Sequence, residues 1–284
     1  MKLTDIVASA ITDIAVNGYN SEVNISRWLM QIQNALRNYT ANLPTARSLV
    51  ERSMTASFNQ HFFDKKGNPT PKFLQLNRGI DAFTLQHLKP KAQSKLQERI
   101  VQNAQLIVLD RDAAVADTLK RFQGWTIGQV SAKQLLTKVQ VKEQAKLIIK
   151  PIGNAPSTFI PRRRIIDQNM KMCASVNDLI ADDGGALAMT WHQNWSANPR
   201  DKGTSEKTNH KQFNGKTYIR RESWAVKEGL LKSGDLPYLE DLGTMPAHEV
   251  YCGCTGSYDY SLTALYRIRP DAFTQKGLAK IGRG

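Results

Sequence analysis

Apolar residues recur at three- and four-residue intervals along most of the first 150 positions, the period of helices that bury one side. Ile6, Ile11 and the run Ile14 to Val16 mark a first helix that ends at Gly18. Asn24 or Ser26 is placed to cap a second, whose stripe is Ile25, Trp28, Leu29, Ile32, Ala35 and Leu36. Pro44 suits the first turn of a third, with Leu49, Val50, Met54 and Phe58 on one side and Phe62-Phe63 near its end. Asp64 to Pro71 is a loop by composition. From Phe73 to Lys150 the helical period resumes. Leu96, Ile100, Ala104, Ile107 and Val108 mark one helix, and Val115, Leu119 and Phe122 mark another that Gly124 stops. Ser131 caps a last one carrying Leu135, Leu136, Val139 and Leu147.

The pattern changes after Pro151, where Gly153 and Pro156 break the period and set a domain boundary. Pro161 with Arg162, Arg163 and Arg164 opens one more helix, through Ile165, Ile166, Met170, Val176, Leu179 and Ile180, closing at Asp182-Asp183-Gly184-Gly185. Ala186 to His192 and Gly215 to Ile219 alternate as strands do. Beyond Pro270 the chain reads as an extended arm. The predicted fold is α+β: a predominantly helical region, residues 1–150, followed by a small α+β domain, residues 151–284, with a short antiparallel sheet.

Charge narrows the choice of partners. The formal net charge is +14, and counting along the chain puts +10 on residues 1–150 and +4 on 151–284, so an anionic partner such as packaged nucleic acid fits the first half. Lys142, Lys146 and Lys150 recur at four-residue steps, either as a phosphate-facing stripe or as a solvated helix face. Arg162, Arg163 and Arg164 have guanidinium forks that match phosphate oxygens, or simply solubilise a helix start. The three cysteines make no disulfide framework, which points to synthesis in a reducing cytoplasm. Asp5 and Asp13 interrupt the apolar N-terminus, and no stretch approaches the ~20 apolar residues of a membrane span, so neither export nor a membrane is expected.

Candidate chemistry concentrates between Trp191 and Cys254, which hold three of the five histidines, two of the three cysteines and three of the five tryptophans. His248, Cys252 and Cys254, with His210 or His192, supply the soft and borderline ligands that zinc takes. The same groups also fit a knuckle of buried thiols and hydrogen-bonded imidazoles. A Cys–His dyad oriented by Glu249 or Asp241 lacks any recognisable nucleophile signature. His192 and His210 with Arg200 and Lys216 have the makings of an acid–base site on phosphate, as in a nuclease or a nucleotide-modifying toxin. Cys173, on a predicted helix, is expected in the core.

The order of these features resembles the head-morphogenesis domain of the phage Mu F-like minor head proteins. That family shows a Trp-bearing strand, a polar turn with Asp and Arg, a His shortly before Gly-Lys, a Pro-containing loop and a terminal Cys-x-Cys. The counterparts are Trp191, Arg200 with Asp201, His210 with Asn214-Gly215-Lys216, Pro246, and Cys252-Gly253-Cys254. Asn214 stands where the family commonly has Asp, and Gly253 where it commonly has Arg. The resemblance implies that Trp191, His192, Asp201, His210, Gly215, Pro246, Cys252 and Cys254 converge on one structural knot. It further implies a minor virion protein of the head, without enzymatic activity, associated with the portal or the major capsid protein and lying near packaged DNA.

Overall fold

The computed structural model describes residues 2–17, 22–128, 136–153, 159–193, 210–249 and 252–283, with backbone alone for 153 and 159–163. The expectations placed on Ser131, Leu135, Arg200 and Asp201, and on the side chains of Arg162 and Arg163, lie outside the described residues. The chain forms two compact units, each built from two segments: residues 1–49 with 102–163, and 50–101 with 164–284.

The first unit is helical. Helix α1 (Leu3–Asn17) packs against α2 (Glu22–Ala41) and α7 (Lys138–Gly153). Val7, Ala10, Ile11 and Ile14 on α1 meet Ile32 and Leu36 on α2, Val141, Ala145, Ile148 and Ile152 on α7, and Ala114 and Phe122 on α6 (Lys89–Gly128). Their spacing of three and four puts each set on one helix face, so four stripes close one core. Helix α2 starts before both capping residues expected for it; Asn24 lies inside it and donates from Nδ2 to Asp13. That Asp13 carboxylate also accepts from Trp28 Nε1 at 2.6 Å and from Asn17 at 2.7 Å, tying α1 to α2.

Two helix stops read from the sequence are absent. Helix α6 runs 40 residues without a break, so the two helices expected there are one, about 60 Å long. A side chain at Gly124 would meet nothing within 4 Å, while Phe122 stacks on Trp125 across it. Packing on either side outweighs the ~1 kcal/mol helix penalty of a glycine. Helix α7 likewise continues through Pro151 to Gly153. A proline deprives the carbonyl four residues earlier of its helical donor. Here that carbonyl is Leu147 O, and it accepts instead from Arg121 Nη1 at 3.2 Å.

The second unit carries the sheet. It includes most of α3 (Ala46–His61), where Phe58 and, just past the helix, Phe62 and Phe63 cluster with Phe73 of α4 (Pro71–Leu76) at ring separations of 5.1–5.9 Å. Thr70 caps α4 by accepting from Phe73 N, and Asp81 caps α5 (Ala82–His87) in the same way through Thr84 N. Helix α8 (Phe159–Asp183) ends where Gly185, at φ +72°, turns the chain and Ala186 N donates to Ala181 O at 2.9 Å, a glycine-dependent helix stop at the expected position.

Four strands follow the order β1-β4-β2-β3: β1 (Asn77–Arg78), β2 (Ala188–His192), β3 (Thr217–Ile219) and β4 (Thr255–Asp259). The fold is thus α+β as expected, with β4 in the centre of the sheet. The sheet is mixed: β2 pairs antiparallel with β3 and β4, but β1 joins β4 in parallel, Asn77 opposite Tyr258. This pairing draws residues 50–101 into the sheet-bearing unit, so a division of the chain at residue 150 does not describe its compact units. It also redistributes the charge: 14 Lys/Arg against 7 Asp/Glu in the first unit and 25 against 18 in the second leave +7 on each, in place of the lopsided field counted along the chain.

Both faces of the sheet are covered. Alternation along β2 sends Met189 and Trp191 to one side, with Tyr218 and Tyr258, and Ala188 to the other, with Ile219. Gly256 sits opposite Trp191 and beneath Met189, where an added Cβ would stand 2.7 Å from the sulfur. The C-terminal segment is no loose arm. Helix α10 (Leu262–Ile268), a 3-10 turn at Pro270–Ala272 and α11 (Gln275–Lys280) put Leu265, Ala272 and Phe273 into the core with α9 (Trp224–Lys227) and Leu230.

Candidate functional site

Three chain segments meet beside the Trp191 face of the sheet. The first is β2 itself, which buries Trp191 completely. The second is the turn back to β3. His210–Phe213 forms a 3-10 turn, Gly215 adopts φ +75°, and Gly215 N donates to Trp191 O at 2.8 Å while Trp191 N donates to Lys216 O at 3.0 Å. Asn214 Oδ1 accepts from Gln193 N at 2.9 Å. The Asn-Gly-Lys motif is therefore a hairpin closure that needs a left-handed residue at 215, and its product is the position of His210 over Trp191. The rings of Trp191 and His210 lie edge to face at 5.2 Å, and Phe213 packs on Trp191 at 4.9 Å.

The third segment leads into β4. His248 N donates to Met245 O at 3.2 Å, Ala247 takes φ +63°, and the chain then delivers Cys252 and Cys254 next to the imidazole. His210 Nδ1 is 3.3 Å from Cys252 Sγ and 3.5 Å from Cys254 Sγ, and the three ligand atoms all lie within 4.8 Å of one another. On the far side of the ring, Nε2 is 3.3 Å from Glu249 Oε1. All three side chains of the cluster are buried.

The electrostatics follow from these contacts. The Cys252 thiol is drawn down to about 4 by hydrogen bonds from Cys254, His210 and the backbone N–H groups of Cys254 and Ala247, against the opposing effect of burial. His210 moves up, chiefly through its bond to Cys252 and further through Glu249, again against burial. A thiolate facing an imidazole ring is an environment that favours either an ion pair or a soft metal. Cys173 behaves oppositely: burial pushes its thiol up to about 12, away from the thiolate form.

No family model, curated protein or solved structure matches this chain.

Of the residues singled out in the sequence, Trp191, His210, Gly215, Cys252 and Cys254 come together, and Pro246 is buried at the turn beside Ala247. His248 does not join them. It lines a separate cleft of about 240 Å³ with Lys95, Arg99, Asp178 and Tyr258, so the expected four-ligand set loses it. His192 also stands apart. As Trp191's neighbour on β2 it points to the opposite sheet face, where Nε2 pairs with Ser257 Oγ at 2.7 Å and burial lowers its pKa. The pleat therefore separates the two imidazoles required by the acid–base site on phosphate. Lys142, Lys146 and Lys150 are exposed along α7, while Arg164 is half-buried.

Two features escaped the sequence reading. Glu249 partners His210 rather than His248, a role hinted at only by its place three residues before Cys252. The second is a buried polar chain holding β1 and β4: Asn77 donates to Asn177 Oδ1 at 3.0 Å and accepts from Tyr260 at 2.7 Å, while Asn177 donates to Gly256 O at 3.0 Å. Isolated asparagines carry no periodic signal that would reveal it.

Proposed function

We propose that this chain is a minor head protein of a tailed-phage virion, non-enzymatic, docking on portal or major capsid subunits during head assembly or genome delivery. The observation that carries this reading is the convergence of the Mu F-like signature. Trp191, the His210 to Lys216 turn and the Cys-x-Cys pair are separated by up to 63 positions in sequence, yet they build a single knot around one imidazole. The reading draws further support from charge: +7 on each unit and the exposed Lys142, Lys146 and Lys150 suit non-specific contact with packaged phosphates. No helix among the described residues is long and apolar enough to cross a membrane.

Mass spectrometry of purified particles tests it, with stoichiometry taken against the major capsid protein. The expected result is a low, fixed copy number in mature particles or proheads. Recovery only from the soluble lysate, with none in either particle, refutes it.

A further inference from the structure

We propose that His210 Nδ1, Cys252 Sγ and Cys254 Sγ bind one zinc ion, and that Glu249 orients the imidazole from its other nitrogen. The proposal concerns the purified chain and stands whether or not the protein belongs to a virion. Spacing is the first argument. Zinc bonds of ~2.3 Å to sulfur and ~2.0–2.1 Å to nitrogen at tetrahedral angles put nitrogen and sulfur about 3.6 Å apart. The two separations found are 3.3 and 3.5 Å, so both nitrogen–sulfur edges of that tetrahedron are within a few tenths of an ångström of the required length, and the three ligand atoms all lie within 4.8 Å of one another.

The second argument is the shell around the ligands. A metal-bound histidine usually donates its remaining N–H to a carboxylate, which selects the tautomer that leaves the other nitrogen free to ligate. Glu249 Oε1 at 3.3 Å from Nε2 meets that requirement. Backbone N–H groups of Ala247 and Cys254 point at the Cys252 sulfur, as they do in thiolate sites, and Trp191 and Phe213 wall the cluster on its aromatic side. Two sulfurs and one imidazole favour a borderline-to-soft cation and disfavour magnesium or calcium, which take oxygen ligands. No fourth His, Cys, Asp or Glu among the described residues brings a ligand atom into the group, and a tetrahedral ion held by these three keeps one further coordination position. The competing arrangement is metal-free: an imidazolium donating through Nδ1–H to a Cys252 thiolate and through Nε2–H to Glu249.

The full chain, purified under a non-thiol reductant without chelators, distinguishes the two. Elemental analysis is expected to find about one equivalent of zinc, and Co²⁺ substitution should produce thiolate-to-cobalt charge-transfer absorption. Cys254→Ser should lose the metal. Because that variant can also fail to fold, Glu249→Gln provides a milder test: zinc affinity falls about 10–100-fold, whereas His248→Ala leaves it unchanged. Less than about a tenth of an equivalent in folded, reduced protein that also takes up no added Zn²⁺ or Co²⁺ overturns the proposal and leaves the ion pair. Weakening by His248→Ala with Glu249→Gln at wild-type affinity overturns the ligand set.

Discussion

Gly277 offers a sharp test of how the C-terminal segment is held. It occupies the first turn of α11, and a Cβ there would land inside the contact shell of the Leu230 carbonyl oxygen, with Leu230 C at 3.0 Å and Phe273 Cδ1 at 3.1 Å. The carbonyl has little freedom to turn away. It already accepts from Thr274 N at 3.1 Å and Thr274 Oγ1 at 3.2 Å, and Leu230 N is engaged with Ala225 O. Gly277→Ala must therefore push α11 outward by about 1 Å to regain ordinary contact distances. Overpacking of this kind costs about 1–3 kcal/mol. The helix-propensity gain of alanine, at most ~1 kcal/mol and smaller in a first turn, offsets part of it. A net loss of about 1–2 kcal/mol corresponds to a fall of roughly 2–8 °C in midpoint for a unit of this size. Gly124→Ala is the matched control: the same change in an open position of α6, expected to stabilise by about 0.5–1 kcal/mol. Thermal and urea unfolding of both variants would decide the matter. A Gly277→Ala protein as stable as wild type would show that α11 does not dock on Leu230, and the C-terminal segment would revert to a dispensable arm.

Three further outcomes follow from the packing. Trp191→Ala should cost about 3–5 kcal/mol, the range for deleting a fully buried large aromatic, and should disorder the His210 turn in near-ultraviolet circular dichroism; a loss under about 1 kcal/mol would contradict its place at the centre of the knot. Asn77→Ala strands Asn177 Oδ1 and the Tyr260 hydroxyl in the interior at about 1–3 kcal/mol each, so urea unfolding should show a loss of more than about 2 kcal/mol. The Asp13 carboxylate is held below its ordinary value, first by the Trp28 indole N–H and then by Asn17, Asn24 and Arg27. A depressed pKa means a contribution that is complete above the unfolded value near 3.8 and lost as pH falls through the folded value. Asp13→Asn should therefore flatten the pH dependence of stability below about pH 5, and an unchanged acid limb would argue against this linkage.

The sequence by itself determined the local matters. Helical periods placed α1, α2, α3 and α8 within a few residues, because an amphipathic stripe is written in the spacing of its own side chains. Gly185 ended α8, because a left-handed backbone leaves its mark as glycine, whereas Gly215, expected to begin a strand, is the left-handed residue of the turn before β3. The order of Trp191, His210 and the Cys-x-Cys pair was also legible, and with it the two cysteines of the cluster, though not which histidine joins them.

Tertiary structure decided the rest. Gly124 and Pro151 looked like helix ends, but distant groups reversed both: the core residues of α1, α2 and α7 that Phe122 and Trp125 pack among, and the Arg121 guanidinium on Leu147 O. His192, His210 and His248 are alike in composition, and only the pleat of β2 and the path into β4 assign them to a sheet face, the knot and a separate cleft. The central strand β4 and its parallel partner β1 are short and polar, without an alternating pattern to announce them. Their place is set by hydrogen bonds across more than 170 residues of chain, from Asn77 to Tyr260 and Arg78 to Asp259, and bonds of that range leave no trace in local sequence.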